Sequence, residues 1–194
     1  KSLKKENDDN IGFKGIIYGS FIKTKAGIKV IEFNARFGDP EAINALEILE
    51  TDLNSIFTHI NNNTLKNIEV NFKRQNTLCK YIVPKGYPAN PIKNKLIHIP
   101  EEISFDNLIC ASINKSVNYD MRFVNLLGSR AFALIYSGEN LNSLIEKSNQ
   151  DASFLDKNVD YRKDIGKISF TYKQCGVSID AGNNAVQQIK DAVS

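Results

Sequence analysis

Histidine and cysteine are scarce in this sequence. Its 194 residues hold two His (His59 and His98) and three Cys (Cys79, Cys110 and Cys175). The cysteine number is odd, the spacing is wide and no C-x-x-C pair occurs. That argues against a disulfide framework or a zinc site and fits a reducing cytosol, so a cytoplasmic location is expected. A Ser-His-Asp or Cys-His mechanism would have to draw on one of two histidines far apart in sequence. Plain helix-face and strand-face positions account for both better. No stretch is long and apolar enough to span a membrane, and no signal peptide is seen. The net charge is only +3 and the lysines are spread out. No basic stripe marks a nucleic-acid partner, and neither nucleic acid nor membrane is expected to bind.

What is present is ordinary globular material. A hydrophobic fraction of 42% and a charged fraction of 24% allow a packed core, and the length suits one domain or two small ones. The first ten residues are polar and begin without Met, as expected of a piece of something longer. Lys14 to Ser20, continuing through Phe21 and Ile22, reads as a strand. Lys25-Ala26-Gly27 reads as a turn with a positive φ at Gly27, and Ile28 to Asn34 as the returning strand of an antiparallel hairpin. Asp39 suits an N-cap and Pro40 the first position of a helix carrying Ala42, Leu46 and Leu49. Thr51 or Asp52 is expected to cap a second helix carrying Leu53, Ile56, Phe57 and Ile60.

Beyond Asn63 the pattern changes to short strands: Val70 to Phe72, Thr77 to Val83, Leu96 to Ile99, Asn107 to Ile113 and Phe123 to Leu127. Arg130 to Ser137 is the strongest strand signal of this half. Pro84 to Pro91 is a Pro/Gly turn region. A helix from about Asn140 carries Leu141, Leu144, Ile145 and Phe154. From Ile168 the character shifts once more, to a strand candidate, a short loop and the beginning of a helix. No internal repeat or low-complexity tract is evident.

The chemically informative stretch is Val30 to Glu41, VIEFNARFGDPE. Side chains alternate faces along a strand. Glu32 and Asn34 therefore share a face, joined by Arg36 if the strand runs that far, while Ile31 and Phe33 face a core. A carboxylate and a carboxamide oxygen suit Mg²⁺, which takes one or two protein oxygens and fills its shell with water and phosphate. A guanidinium suits phosphate oxygens. Phosphoryl transfer needs positioning and charge neutralisation rather than a protein nucleophile, so scarce histidine is no obstacle. The same triplet also fits the solvated side of a hairpin, and Asp39 has an equally plain reading as a helix cap.

The full string, together with FKGIIYGSFIKTKAGIKVIEFNARFGDPEA around it, resembles the closing hairpin of the ATP-grasp fold in the phosphoribosylamine–glycine ligase (glycinamide ribonucleotide synthetase) family. KGYPANP, LLGSRAFALIYSGENLNSLIEK and NVDYRKDIG resemble the C-terminal lobe of that family in the same order, so the likeness runs over roughly residues 11 to 166. It implies ATP-dependent ligation of glycine to 5-phosphoribosylamine through a glycyl phosphate, in de novo purine synthesis. It further implies Glu32 and Asn34 as ligands of Mg²⁺ or Mn²⁺, Asn34 and Arg36 at the ATP site, and Arg36 as a catalytic contact to phosphate. Some members carry Gln, a further metal contact, where Ser20 stands. Gly128, Ser129 and Arg130 fall where a nucleotide-product site or a plain turn is expected.

TYKQCGVSIDAGNNAVQQIK, Thr171 to Lys190, resembles the N-terminal signature of the phosphoribosylformylglycinamidine cyclo-ligase family, which suggests a multifunctional parent and a homodimer through that second enzyme. The expected architecture is α+β. It comprises the C-terminal portion of an ATP-grasp domain (1–63), a small mixed α/β lobe (64–167) and the truncated start of a second domain (168–194). The remaining ATP-grasp and N-terminal domains would be partners within the same polypeptide, and the fragment alone is expected to be inactive. Another ATP-grasp ligase, or a non-catalytic docking segment, is the alternative.

Overall fold

A computed structural model describes residues 13–24, 26–116 and 120–167. In chain order the elements are β1 (Tyr18–Thr24), β2 (Gly27–Asn34), α1 (Glu41–Glu47), α2 (Leu53–Asn61), β3 (Asn76–Pro84), β4 (Leu96–His98), β5 (Leu108–Cys110), β6 (Ile113–Lys115), β7 (Phe123–Leu126), β8 (Phe132–Gly138), α3 (Leu141–Ser153) and β9 (Val159–Tyr161). The mixture of sheets and helices is that expected from the sequence. Packing divides it into two compact units, one holding 13–38 with Asp52–Glu69, the other Asp39–Thr51 with Val70–Lys167.

The first unit is built on the hairpin. β1 and β2 pair antiparallel, from Tyr18↔Asn34 to Thr24↔Gly27. Gly27 turns the chain at φ +99°, a conformation that a Cβ disfavours. Thr24 Oγ1 clips the turn by donating to Gly27 O (2.9 Å) and accepting from Ala26 N (3.2 Å). A register shift between Ser20 and Phe21 gives the strand a bulge, a device that re-aims side chains. Phe21 and Phe33 meet edge to face at 6.0 Å. In the same unit Asp52 caps α2, its Oδ2 accepting from Ser55 N at 2.7 Å, and Ile56 is buried. Both histidines sit on regular elements as expected, His59 on α2 and His98 on β4.

The second unit contains a four-stranded sheet in the order β5-β8-β3-β9 and a three-stranded sheet in the order β4-β7-β6, every pairing antiparallel. β3 lies inside the larger sheet and is covered on both faces. Leu78 and Ile82, with Phe132, Leu134 and Tyr136 of β8, pack against Leu144 and Ala152 of α3. Cys79 and Tyr81, with Ala133 and Ile135, pack against Ile43 of α1. That second contact draws 39–51 into this unit, whereas the sequence boundary read at 63/64 leaves it with the hairpin. Lys80 is fully buried on the α3 side. Its Nζ donates to Asn149 Oδ1 at 2.6 Å and lies 5.2 Å from the centre of the Tyr161 ring. Burial, with Lys167 nearby, lowers its pKa.

Five local expectations need correction. Ile31 and Phe33 face no core among the described residues; both are exposed. Val70 to Phe72 is not a strand; only an isolated bridge, Leu49↔Phe72, forms there. Asn107 to Ile113 divides into β5 and β6 after a turn of 3-10 helix. β9 has no counterpart in the sequence reading; it is three residues long and lies at the sheet edge on Ile82–Pro84. Asp39 does not cap α1: Pro40 occupies the cap position, with no side-chain cap bond. The residues from Ile168 onward, including the strand and helix expected there, lie outside the described residues.

Candidate functional site

The hairpin holds the expected pair together. Ser20 is the register partner of Glu32, and residues directly opposite share a face. Asn34 Nδ2 donates to Glu32 Oε1 at 3.1 Å, so the carboxylate and the carboxamide adjoin on one face, as period-two alternation requires. This leaves Glu32 Oε2 and Asn34 Oδ1 without partners among the described residues. Glu32 is exposed and Asn34 half-buried, so both oxygens are reachable. Two hard, adjacent oxygens fit a Mg²⁺ or Mn²⁺ ion that completes its shell with water and phosphate. No group of three or more His, Cys, Asp or Glu side chains able to hold a metal occurs among the described residues, and an ion here would rely on such exogenous ligands. Arg36 is not carried on the same strand face. β2 ends at Asn34, Ala35 and Arg36 lie in a bend, and Arg36 Nη1 donates to Phe37 O at 2.7 Å. Strand alternation thus places two of the three side chains, not the third.

The second unit carries a separate polar arrangement. Tyr81 Oη donates to Asp39 Oδ1 at 2.7 Å. Arg130 Nη2 pairs with Asp39 Oδ2 at 3.2 Å and Nη1 donates to Asp39 O at 3.1 Å. The guanidinium lies 5.1 Å from the centre of the Tyr81 ring, within cation–π range. Burial and the bond to Asp39 push the Tyr81 pKa well up, so the phenol stays a donor. Cys79 faces the same side, and burial, with Asp39 and Glu41 nearby, pushes its thiol up to about 12. It is a packing residue rather than a nucleophile. Sequence reading singled out Asp39 and Arg130 separately and missed Tyr81. The available signal was alternation, since Tyr81 is two residues from Cys79 on a strand covered on both faces.

Residues 1–42 match the family described as phosphoribosylglycinamide synthetase, ATP-grasp (A) domain. Over 174 residues the chain is 41% identical to a phosphoribosylamine–glycine ligase of Methanocaldococcus jannaschii, covering 90% of this chain and 38% of that protein. Nine-tenths of the chain resembles phosphoribosylamine–glycine ligases. A second such ligase, from Methanosarcina barkeri, is 41% identical over 175 residues, 90% of this chain and 39% of its own length. The chain thus spans less than two fifths of these curated ligases. The crystal structure of the phosphoribosylamine–glycine ligase from Thermotoga maritima superposes with a TM-score of 0.57 at 22% identity, over 77% of this chain and 36% of that one. At that identity the likeness to the Thermotoga ligase speaks for the fold.

Proposed function

We propose that this chain is part of an ATP-dependent carbon–nitrogen ligase that joins glycine to 5-phosphoribosylamine, giving glycinamide ribonucleotide, ADP and phosphate. The observation that carries this reading is the similarity to phosphoribosylamine–glycine ligases over 90% of the chain. The adjacency of Glu32 and Asn34 on the hairpin supplies a matching chemical site.

In this reading Glu32 and Asn34 hold a divalent cation, Mg²⁺ or Mn²⁺. When bound, the cation neutralises phosphate charge as the γ-phosphoryl group passes to the glycine carboxylate. The carboxamide N–H of Asn34 holds one carboxylate oxygen and leaves the other without a hydrogen-bond partner among the described residues. Arg36, exposed in the bend after β2, would exchange its bond to the Phe37 carbonyl for a phosphate oxygen and so serve as catalytic contact and ATP ligand. The amine of phosphoribosylamine then attacks glycyl phosphate, the carbon–nitrogen bond forms and inorganic phosphate leaves. Ser20, opposite Glu32, has a hydroxyl short enough to act only through water.

The hairpin also exposes apolar side chains, with Ile28 64%, Ile31 59% and Phe33 65% exposed. In the full-length protein the rest of the ATP-grasp domain would cover them. Residues 171–190 would begin a cyclo-ligase domain of the same polypeptide, bringing a second ATP-dependent activity and a homodimer. No helix among the described residues is long and apolar enough to cross a membrane, and we place the enzyme in the cytoplasm. The direct test is glycine-dependent release of ADP by the full-length protein supplied with phosphoribosylamine. Turnover that ignores glycine would sink the assignment.

A further inference from the structure

Lys80 stands fully buried on β3, between Leu78 and Ile82 on the face that meets α3. The last stretch of the second unit, 159–167, touches the residues on either side of it. Tyr161 is the register partner of Ile82. Gly166 lies against Leu78 and against Ile145 of α3. A Cβ there would come within 2.7 Å of Leu78 Cδ1 and 2.6 Å of Ile145 Cγ1, and the residue has φ +84°, so only glycine seats this stretch so closely. Between these two points it borders the lysine itself, with the centre of the Tyr161 ring 5.2 Å from Nζ. Its main-chain ties to β3 and the residue after it are three register pairs and the bond from Lys85 N to Asn158 O (2.8 Å).

What this strap helps to cover is an amine without a counter-charge. Lys80 Nζ donates to Asn149 Oδ1 at 2.6 Å, and no carboxylate pairs with it among the described residues. The charged groups around it are engaged elsewhere. On α3, Asp151 accepts from Tyr136 Oη and pairs with Lys147, and Glu146 is exposed. On β8 the opposite residue is Leu134. On the strap, Asp160 accepts from Tyr161 N, Asp164 pairs with Arg162, and Lys163 is exposed. Lys167 adds a like charge, which joins burial in opposing protonation of Lys80. One amide oxygen and an aromatic face do not offset the desolvation of an ammonium. Water would, and the strap is the easier cover to lift. It is held by a three-residue edge strand, whereas α3 is a thirteen-residue helix packed on the core.

We propose that 159–167 is a proton-operated strap, closed on β3 while the Lys80 amine is neutral and opening more readily once that amine takes up a proton. The closed state disfavours the charged form, so its pKa lies below the ordinary 10.5, and an opened, hydrated lysine returns to the ordinary value. Closure is therefore firmest above 10.5, weakens as pH falls, and levels off below the closed-state pKa. Opening bares the β3 edge at Ile82–Pro84.

The test is limited trypsin cleavage of the full-length protein at pH 7 and pH 10, with the sites read by mass spectrometry, for wild type, Lys80→Met and Gly166→Ala. Cleavage after Arg162 and Lys163 requires local opening and follows the open population when reclosing outpaces cleavage. Taking each variant relative to wild type at the same pH cancels the pH dependence of trypsin. Wild type should be cut in the strap well before it is cut after Lys147, in α3. Lys80→Met should be cut in the strap about fivefold more slowly than wild type at pH 7, the gap narrowing to about twofold at pH 10. Gly166→Ala, which pushes the strap off Leu78 and Ile145, should be cut faster at both. Lys80→Met cut as fast as wild type at pH 7, or slowed equally at both pH values, overturns the proposal. So does a wild-type strap cut no sooner than Lys147, because it would then open only with the whole unit. A Gly166→Ala strap cut no faster than wild type also overturns it, since cleavage would not depend on the seat of the strap.

Discussion

Glu32 and Asn34 are the residues on which the proposed chemistry turns, and their contact makes them separable by mutation. Asn34→Ala removes the N–H that fixes Glu32 Oε1 along with one ligand oxygen. Glu32→Ala removes the charge. Losses at and around metal ligands cost about 10–100-fold in metal affinity. Titration of Mn²⁺ into the full-length variants, followed by electron paramagnetic resonance, should show weaker binding in both. A Ser20→Gln change brings a carboxamide opposite Glu32, and the Mn²⁺ titration should tighten several-fold, by about 1 kcal/mol or less. Weaker binding would show that Ser20 does not face the ion. The two cysteines in the described residues should also separate. Cys110 is exposed and Cys79 buried, with its thiol raised to about 12. At pH 8 iodoacetamide should label Cys110 well before Cys79, as peptide mass spectrometry would report.

Lys80 gives the pH prediction. Its folded pKa is depressed, first by burial and then by Lys167, so the folded state disfavours the charged form. The stabilising contribution of the neutral amine is full above the unfolded value near 10.5 and is lost as pH falls through the lower folded pKa. Near neutrality Lys80 therefore weighs against folding. Lys80→Met, similar in volume, should raise stability in urea by about 1 kcal/mol at pH 7, with the gain shrinking towards pH 10.5. Equal effects at both pH values would show that desolvation of the ammonium is not the cause.

Among the elements, those set by local chemistry were legible in the sequence. The hairpin follows from alternation and Gly27, α2 from the Asp52 cap, and α3 from Asn140, whose Oδ1 accepts from Asn142 N and Ser143 N. Asn140→Ala should cost about 1 kcal/mol, read as a lower urea midpoint. Elements set by distant partners were not legible. β9 forms because β3 offers an open edge at Ile82–Pro84, which three residues of sequence do not announce. Val70 to Phe72 has strand composition but finds only a single bridge partner. Asp39 has the composition of a cap, yet Tyr81 and Arg130, 42 and 91 residues away, compete successfully for its carboxylate and carbonyl. The Glu32–Asn34 contact was readable because both residues sit on one strand. The Asp39–Tyr81–Arg130 contacts were not, because they join segments far apart in sequence.

For the whole molecule, the chain accounts for less than two fifths of the length of its curated relatives. Its hairpin presents apolar residues along nearly all of β2. The 194-residue chain by itself should form no glycinamide ribonucleotide; product from the purified fragment would refute the view that it needs the remainder of the ATP-grasp domain. The central claim is tested most directly by coupled ADP release from the full-length protein with glycine and 5-phosphoribosylamine, comparing wild type with Glu32→Ala/Asn34→Ala. The account predicts glycine-dependent ADP release that falls by about 100-fold or more in the double variant. ADP release independent of glycine, or a double variant as active as wild type, would contradict it.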